Sequence, residues 1–350
     1  MADDRSNLLG ARRLLRPSLR SGLAMTMGRM MTDEKILNIF RKYPGQHVSG
    51  EELSEELGIS RTAIWKHIED LRKIGYNIEA EPHLGYKLVS LPDRLLAIEL
   101  MHGLNTKIIG KNILSYDTIE STMDAAYDLA VKTNGEGACV FAESQRKGRG
   151  RMGRDWQSPK YKGIYVSIIL RPDISPNETP KITLMAAVSI AKTISSKFNL
   201  QPQIKWPNDL LIDNKKICGI LTEMNAEADK VKFLVVGIGI NVNSKQSDLV
   251  DTATSLKEKT GDKIDRIAFT KAVLEGLDEH YAIFNEKGFQ SILDELRNFS
   301  STLGRRVKVD FKNRHIEGQA MDVDESGALL VRLDNGFVER ILSGDVTLVR

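Results

Sequence analysis

The residues best suited to chemistry stand together in residues 148–156, "GRGRMGRDW". Arg149, Arg151 and Arg154 carry planar guanidinium forks that match carboxylate or phosphate, while Gly148 and Gly150 let the backbone approach a ligand and offer its N–H groups. A stretch this charged and glycine-rich cannot bury enough apolar surface to hold one shape, so it reads as a mobile loop awaiting an anion. A solvated surface loop and a nucleic-acid arm are the ordinary alternatives. Other anion-ready groups follow in the same stretch of chain. Ser121 and Thr122, in "IESTMDAA", open a helix whose free N–H groups attract negative charge. "IKWPNDL" delivers Lys205, Asn208 and Asp209 at a strand end, "NKKICGIL" delivers Lys216 beside Gly219, and "GIGIN" ends a strand at Asn241. Each has a bland reading as a cap or a turn; their concentration in one region points to a single site.

The elements around these residues alternate. "ILSYD", "ACVFAES", "IYVSIIL", "QIKW", "LLID", "KICGILTE" and "KFLVVGIGI" read as strands, and 122–132, 180–198 and 268–297 as helices. The turns "DNKK" and "NAEADK" imply antiparallel hairpins, so the class is α+β. The arginine loop falls between two of the strands, where rigid flanks can support it. At 350 residues the chain calls for two or three domains, and 41% hydrophobic content suffices for their cores. No run of eighteen apolar residues occurs, which excludes a membrane span and implies a soluble protein. Cys139 and Cys218 lack the spacing of a zinc site or disulfide framework and read as reduced, cytoplasmic thiols, Cys218 as a buried one.

A different unit precedes the α+β region. Ile36, Leu37, Ile39 and Phe40 follow helical spacing, with Thr32 or Asp33 as the N-cap and "YPGQ" as the stop. A helix begun by Ser49, a turn at Gly58 and a second helix capped by Ser60 form a helix-turn-helix over about Gly50 to Glu69. Ile64, Ile68 and Leu71 take core spacing in the second helix, leaving Arg61, Thr62, Trp65 and Lys66 outward at the positions that reach base edges. "YNIEAEPHLGYKLVS" supplies two strands and a turn, a wing. Ahead of this, residues 1–31 carry six arginines against Asp3 and Asp4, giving +4, whereas the whole chain is +3. With Met25, Met27, Met30 and Met31 clustered at its end, 1–30 reads as a disordered extension upstream of the start. The expected organisation is thus 1–30 extension, 31–90 winged helix-turn-helix, 95–298 central α+β domain, and 302–350 five short strands as an SH3-like barrel.

"GRGRMGRDW", "KWPNDL", "KICGIL" and "GIGIN", in this order and behind a helix-turn-helix, resemble the biotin protein ligases in their bifunctional form, the biotin operon repressors, over roughly residues 31–350. The resemblance implies an ATP-dependent ligase: biotin's carboxylate attacks the α-phosphate of ATP, and a lysine of the biotin carboxyl carrier protein then takes the biotinyl group from biotinyl-5′-adenylate. It implies Lys216 and Arg151 as catalytic cations, and Ser121, Thr122, Met123, Gln145, Gly148, Arg149, Gly150, Arg151, Lys216 and Gly219 around biotin and the adenylate. Arg154, Trp156, Lys205, Asn208, Asp209 and Asn241 would lie toward ATP and its Mg²⁺, with Asp209 as the carboxylate nearest the ion. Operator DNA and a homodimer formed with adenylate bound complete the implied partners. Met123 departs from the family, which usually has Asn there. A lipoate-type ligase or a non-catalytic, ligand-sensing transcription factor would share parts of this pattern.

Overall fold

A computed structural model describes residues 31–311 and 314–349. The proposed 1–30 extension lies outside the described residues. The chain divides into two compact units between Arg94 and Leu95.

The first unit begins with helix α1 over residues 31–42, followed by α2 (Gly50–Leu57) and α3 (Arg61–Lys73). Leu37, Phe40, Leu53, Ile64, Ile68 and Leu71 are its buried centre. Ser49 Oγ accepts from the Glu52 N–H at 3.0 Å, and Gly58, at φ +64°, ends α2 in the left-handed region where glycine carries no Cβ penalty. Ser60 Oγ accepts from the Ala63 N–H at 3.2 Å to start α3. Thr32 and Asp33 do not cap α1, because both already lie within it; Asp33 instead meets His67 Nδ1 on α3 at 2.6 Å. β1 (Asn77–Glu81) and β2 (Gly85–Ser90) form the antiparallel wing. Val48 and Tyr86 exchange both backbone hydrogen bonds at 2.8 Å, drawing the wing onto the α1–α2 loop. That approach needs Gly85, since at φ +105° a Cβ there would lie 2.2 Å from the Val48 carbonyl oxygen.

The second unit is built on a seven-stranded sheet. After the short helix α4 (Ala97–Met101) come β3 (Ile113–Tyr116), α5 (Thr122–Lys132), β4 (Cys139–Ala142), β5 (Gly163–Leu170) and α6 (Thr179–Phe198). β6 (Gln203–Lys205), β7 (Asp209–Ile212), β8 (Lys215–Glu227) and β9 (Lys230–Asn241) complete the sheet, in the order β3-β4-β5-β9-β8-β7-β6. The β3–β4 pair is parallel and the others are antiparallel. Alternation of side chains sorts the faces. Val140, Ile169 and Val235 pack with Met123 and Ala126 of α5, while Phe141, Ile168 and Val236 join α6 and the later helices. β8 and β9 run further than the sequence pattern suggested, so the expected "NAEADK" turn shrinks to Ala228 and Asp229 between paired strand ends.

The single helix expected over 268–297 is two, α8 (Arg266–Lys287) and α9 (Gln290–Phe299), preceded by the short α7 (Leu256–Thr260). Gly288, at φ +75°, donates its N–H to the Phe284 carbonyl and ends α8, while apolar spacing continues across the break and hides it from a periodicity reading. Finally, β10 (Arg306–Phe311), β11 (Arg314–Val323), β12 (Leu329–Arg332), β13 (Val338–Ile341) and β14 (Asp345–Leu348) form an antiparallel sheet in the order β13-β12-β11-β10-β14. Val307, Val309, Leu329 and Val331 belong to the same apolar cluster as the large sheet, and Trp206 Nε1 donates to the Gly327 carbonyl at 3.1 Å.

Candidate active site

The segment bearing the arginine loop is fixed at both flanks. Before it, Glu143 accepts from the Leu95 N–H at 2.5 Å and from Arg266 Nη1 at 2.8 Å; after it, the Gly163 carbonyl accepts from the same Arg266 nitrogen at 3.0 Å. Arg266 is fully buried, so this pair is shielded from water and strongly directional. Between these anchors the loop folds as a small hairpin. The Gly150 N–H donates to the Arg154 carbonyl at 2.6 Å and the Trp156 N–H to the Gly148 carbonyl at 2.8 Å, around a 3-10 turn at Arg151–Gly153.

The loop, expected to be mobile when empty, takes a definite shape in this structure. Lacking apolar anchors among its arginines, the loop is held by protein acceptors instead. Arg149 Nη1 donates to Asp124 Oδ1 at 2.6 Å and its Nη2 to Glu223 Oε1 at 3.2 Å. Arg151 Nη1 reaches Asn208 Oδ1 at 3.2 Å and the Gly344 carbonyl at 3.1 Å, and Arg154 forms an ion pair with Asp345. Burial lowers the proton affinity of Arg151, against the attraction of Asp209. Burial also opposes the charge on Arg149, yet Asp124 and Glu223 together hold its guanidinium above the ordinary value.

Beneath the loop lies a cavity of about 130 Å³. Its floor is made of glycines on adjacent strands, Gly219 of β8 opposite Gly239 of β9, with Gly237 two residues earlier. A Cβ at Gly239 would come within 2.4 Å of the Trp156 indole, and one at Gly219 within 2.9 Å. At Gly237 it would meet Met123 Sδ at 2.4 Å. The glycines thus make room for an indole and a thioether rather than for a turn. Trp156 Nε1 is buried and has no hydrogen-bond partner among the described residues, which leaves a donor for an acceptor in the cavity.

On one wall Lys216 Nζ stands 2.7 Å from Asp209 Oδ1 and 5.4 Å from the Trp156 ring centroid. Asn208 is fixed by its Nδ2 donating to the Ile220 carbonyl at 2.8 Å, and its own carbonyl accepts from the Ile220 N–H at 3.0 Å. Lys205 faces Asp209 across the β6–β7 hairpin, and burial pulls its ammonium below the ordinary range despite that carboxylate. On the opposite wall Gln145 Oε1 accepts from both the Thr122 N–H at 2.9 Å and Thr122 Oγ1 at 3.0 Å, while its Nε2 donates to Ser158 Oγ at 3.1 Å. The Thr122 N–H expected to be free at the helix start is thus taken by Gln145. Ser121 does not cap α5 with its side chain; its Oγ is buried without a partner among the described residues.

Most of the residues singled out from sequence meet at this cavity: Thr122, Met123 and Gln145 on one side, Arg149, Gly150, Arg151, Arg154 and Trp156 above, and Asn208, Asp209, Lys216 and Gly219 opposite. Gly148 borders it, a Cβ there falling 2.4 Å from the Trp156 carbonyl oxygen. Ser121, Lys205 and Asn241 do not line it; Asn241 is buried at the end of β9 opposite Gly163. Asp124, Glu223 and Asp345 were missed. Nothing in "SGDV" marks Asp345 as a partner of a loop almost two hundred positions earlier. Asp124 reads as an ordinary acid of a first helical turn. Among the described residues no group of three or more His, Cys, Asp or Glu side chains is placed to hold a metal. Burial drives the Cys139 thiol up to about 12 and Cys218 higher, so neither is a nucleophile at neutral pH. In the first unit Arg61, Thr62, Trp65 and Lys66 are exposed on α3, with Trp65 54% accessible and Arg61 2.6 Å from Glu51.

Family comparisons agree with this geometry. Residues 32–87 match an HTH domain, 115–241 the biotin/lipoate A/B protein ligase family, and 302–349 the biotin protein ligase C terminal domain. The class is therefore a biotin protein ligase carrying a DNA-binding head. The bifunctional ligase/repressor BirA of Bacillus spizizenii is 40% identical over 317 residues, covering 89% of this chain and 97% of that protein. The Escherichia coli protein of the same name is 29% identical over 306 residues, covering 87% and 94%. The biotin protein ligase from Aquifex aeolicus, solved in complex with biotin and ATP, matches at a TM-score of 0.59 and 31% identity, covering 69% of this chain and 99% of that one. The chain belongs to the BirA family of bifunctional ligase/repressors.

Proposed function

We propose that this ligase joins biotin to ATP at the cavity under the arginine loop and passes the biotinyl group to a lysine of the biotin carboxyl carrier protein. The observation that carries the reading is the convergence of Lys216, Arg151 and Arg154 over a glycine floor. A carboxylate and a triphosphate repel each other, so a site that joins them has to supply cations and exclude water. A biotin carboxylate oxygen attacks the α-phosphorus, pyrophosphate leaves, and the mixed anhydride remains. The amine of the acceptor lysine then attacks its carbonyl carbon, AMP leaves, and the amine loses a proton. Lys216 and Arg151 would stabilise the charge gathering on the phosphorus oxygens, with Asp209 and Asn208 holding them in position. Trp156 would cover the anhydride and keep water from hydrolysing it.

Mg²⁺ would enter with the nucleotide. Asp209 can offer one oxygen, and its neighbours Lys205 and Lys216 are cations, so the remaining ligands would be phosphates and water. The α3 surface of Arg61, Thr62, Trp65 and Lys66 would read operator DNA, as a homodimer spanning two half-sites, with the adenylate as corepressor. We read the C-terminal meander as an SH3-like barrel and the chain as three modules, 31–90, 95–298 and 302–350. ATP, carrier and operator place its work in the cytoplasm. Incubating the purified protein with ATP, Mg²⁺, biotin and a carrier domain should add one biotinyl mass to the carrier. Unmodified carrier under these conditions would sink the reading.

A further inference from the structure

The three arginines of the loop are not equivalent. Arg151 meets an amide oxygen and a carbonyl, with the Asp345 carboxylate that Arg154 also uses at 3.9 Å, and Lys216 meets one carboxylate, Asp209, which Lys205 also faces. Arg149 alone is over-neutralised: Asp124 takes Nη1 at 2.6 Å, while Glu223 takes Nη2 through both carboxylate oxygens at 3.2 and 3.3 Å. One positive and two negative charges leave a local excess of negative charge, which repels an incoming phosphate or carboxylate. The two acids sit on different elements, Asp124 in the first turn of α5 and Glu223 within β8, and neither lines the cavity. The Arg149 backbone also forms a β-bridge with that of Asp155 across the base of the hairpin. The guanidinium therefore ties the loop's base to a helix and a strand on the cavity's outer rim.

We infer that Arg149 is a latch: a positioning residue that closes the arginine loop through Asp124 and Glu223 and sets how long the adenylate is retained, instead of binding a substrate anion with its side chain. The inference rests on the ligase reading above for the word adenylate, and on geometry alone for the latch. Loop closure and retention then depend on two carboxylates outside the cavity. The adenylation step, which relies on Lys216 and Arg151, does not.

Asp124→Asn and Glu223→Gln test this, singly and together, in the full chain. Because exposed ion pairs contribute little each, every single change should raise the release rate of preformed adenylate by roughly threefold and the pair by about tenfold. Limited trypsin cleavage at the loop's Arg and Lys residues should accelerate in step, with single-turnover adenylate formation and the thermal midpoint unchanged. If Arg149 is instead a substrate ligand, removing its competitors frees it: release slows and the KM for biotin or ATP falls, which overturns the latch. A fall in thermal midpoint that accounts for the faster cleavage also overturns it, since the pairs would then be merely structural. Trypsin needs no ligand. Faster loop cleavage in a protein that forms no adenylate would keep the latch and defeat the ligase reading alone.

Discussion

Lys216 is a single ammonium shared between Asp209 at 2.7 Å and the face of Trp156 at 5.4 Å. Asp209 holds it in place, and the indole covers one side of it. Lys216→Ala should therefore lower the rate of adenylate formation by roughly a hundredfold, read as pyrophosphate release in a single turnover, with little change in stability. Arg151→Ala should slow the same step and, in addition, let the adenylate that does form escape into solution, where it is found by chromatography before carrier is added. Gly239 gives a third test at this scale. A methyl group there would enter the space of the Trp156 indole, 2.4 Å away, so Gly239→Ala should cost about 1–3 kcal/mol of stability by overpacking, measured by denaturant unfolding. A neutral outcome would mean that the indole sits elsewhere in solution.

The elements show where a sequence speaks and where it falls silent. Helix-turn-helix caps at Ser49, Gly58 and Ser60 are local devices, so their positions could be read directly from the residues. The exposed face of α3 followed from spacing alone, and replacing Arg61, Trp65 and Lys66 with alanine should abolish specific operator binding in a mobility-shift assay while ligation continues. Gly85 was legible only as a turn residue; its real constraint is the Val48 carbonyl 2.2 Å from where a Cβ would stand. Gly85→Ala should cost about 2 kcal/mol or more in the head, through clash and a positive φ, and weaken DNA binding by unfolding. Lys216, Asn208, Asp209 and the arginine loop were legible because their types are chemical. Asp124, Glu223 and Asp345 were not, since a carboxylate's partner is chosen by the fold and not by its neighbours in the chain. The break at Gly288 escaped for a related reason: periodicity registers which face is apolar and is blind to a glycine that ends one helix just before another continues the same face.

At the scale of the whole molecule, the chain divides into two compact units between Arg94 and Leu95, and at the start of the second Leu95 is tied to Glu143, only two residues before Gln145. No helix among the described residues is long and apolar enough to cross a membrane. If the adenylate is the corepressor, sedimentation with biotin, ATP and Mg²⁺ should show dimers at concentrations where biotin alone leaves monomers. Equal association in both samples would remove the switch and leave the ligase untouched.

The pairing of Arg154 with Asp345, and of Arg151 with the Gly344 carbonyl, has a consequence for the order of events during translation. The arginine loop leaves the ribosome long before β14 is made, since the two stand almost two hundred positions apart. A nascent chain would therefore carry Arg151 and Arg154 without the acceptors that seat them. If adenylation needs those arginines seated, competence would arrive late in biogenesis, once the C-terminal strands have folded onto the sheet, and a prematurely terminated polypeptide would be spared from generating an acyl phosphate it could not contain.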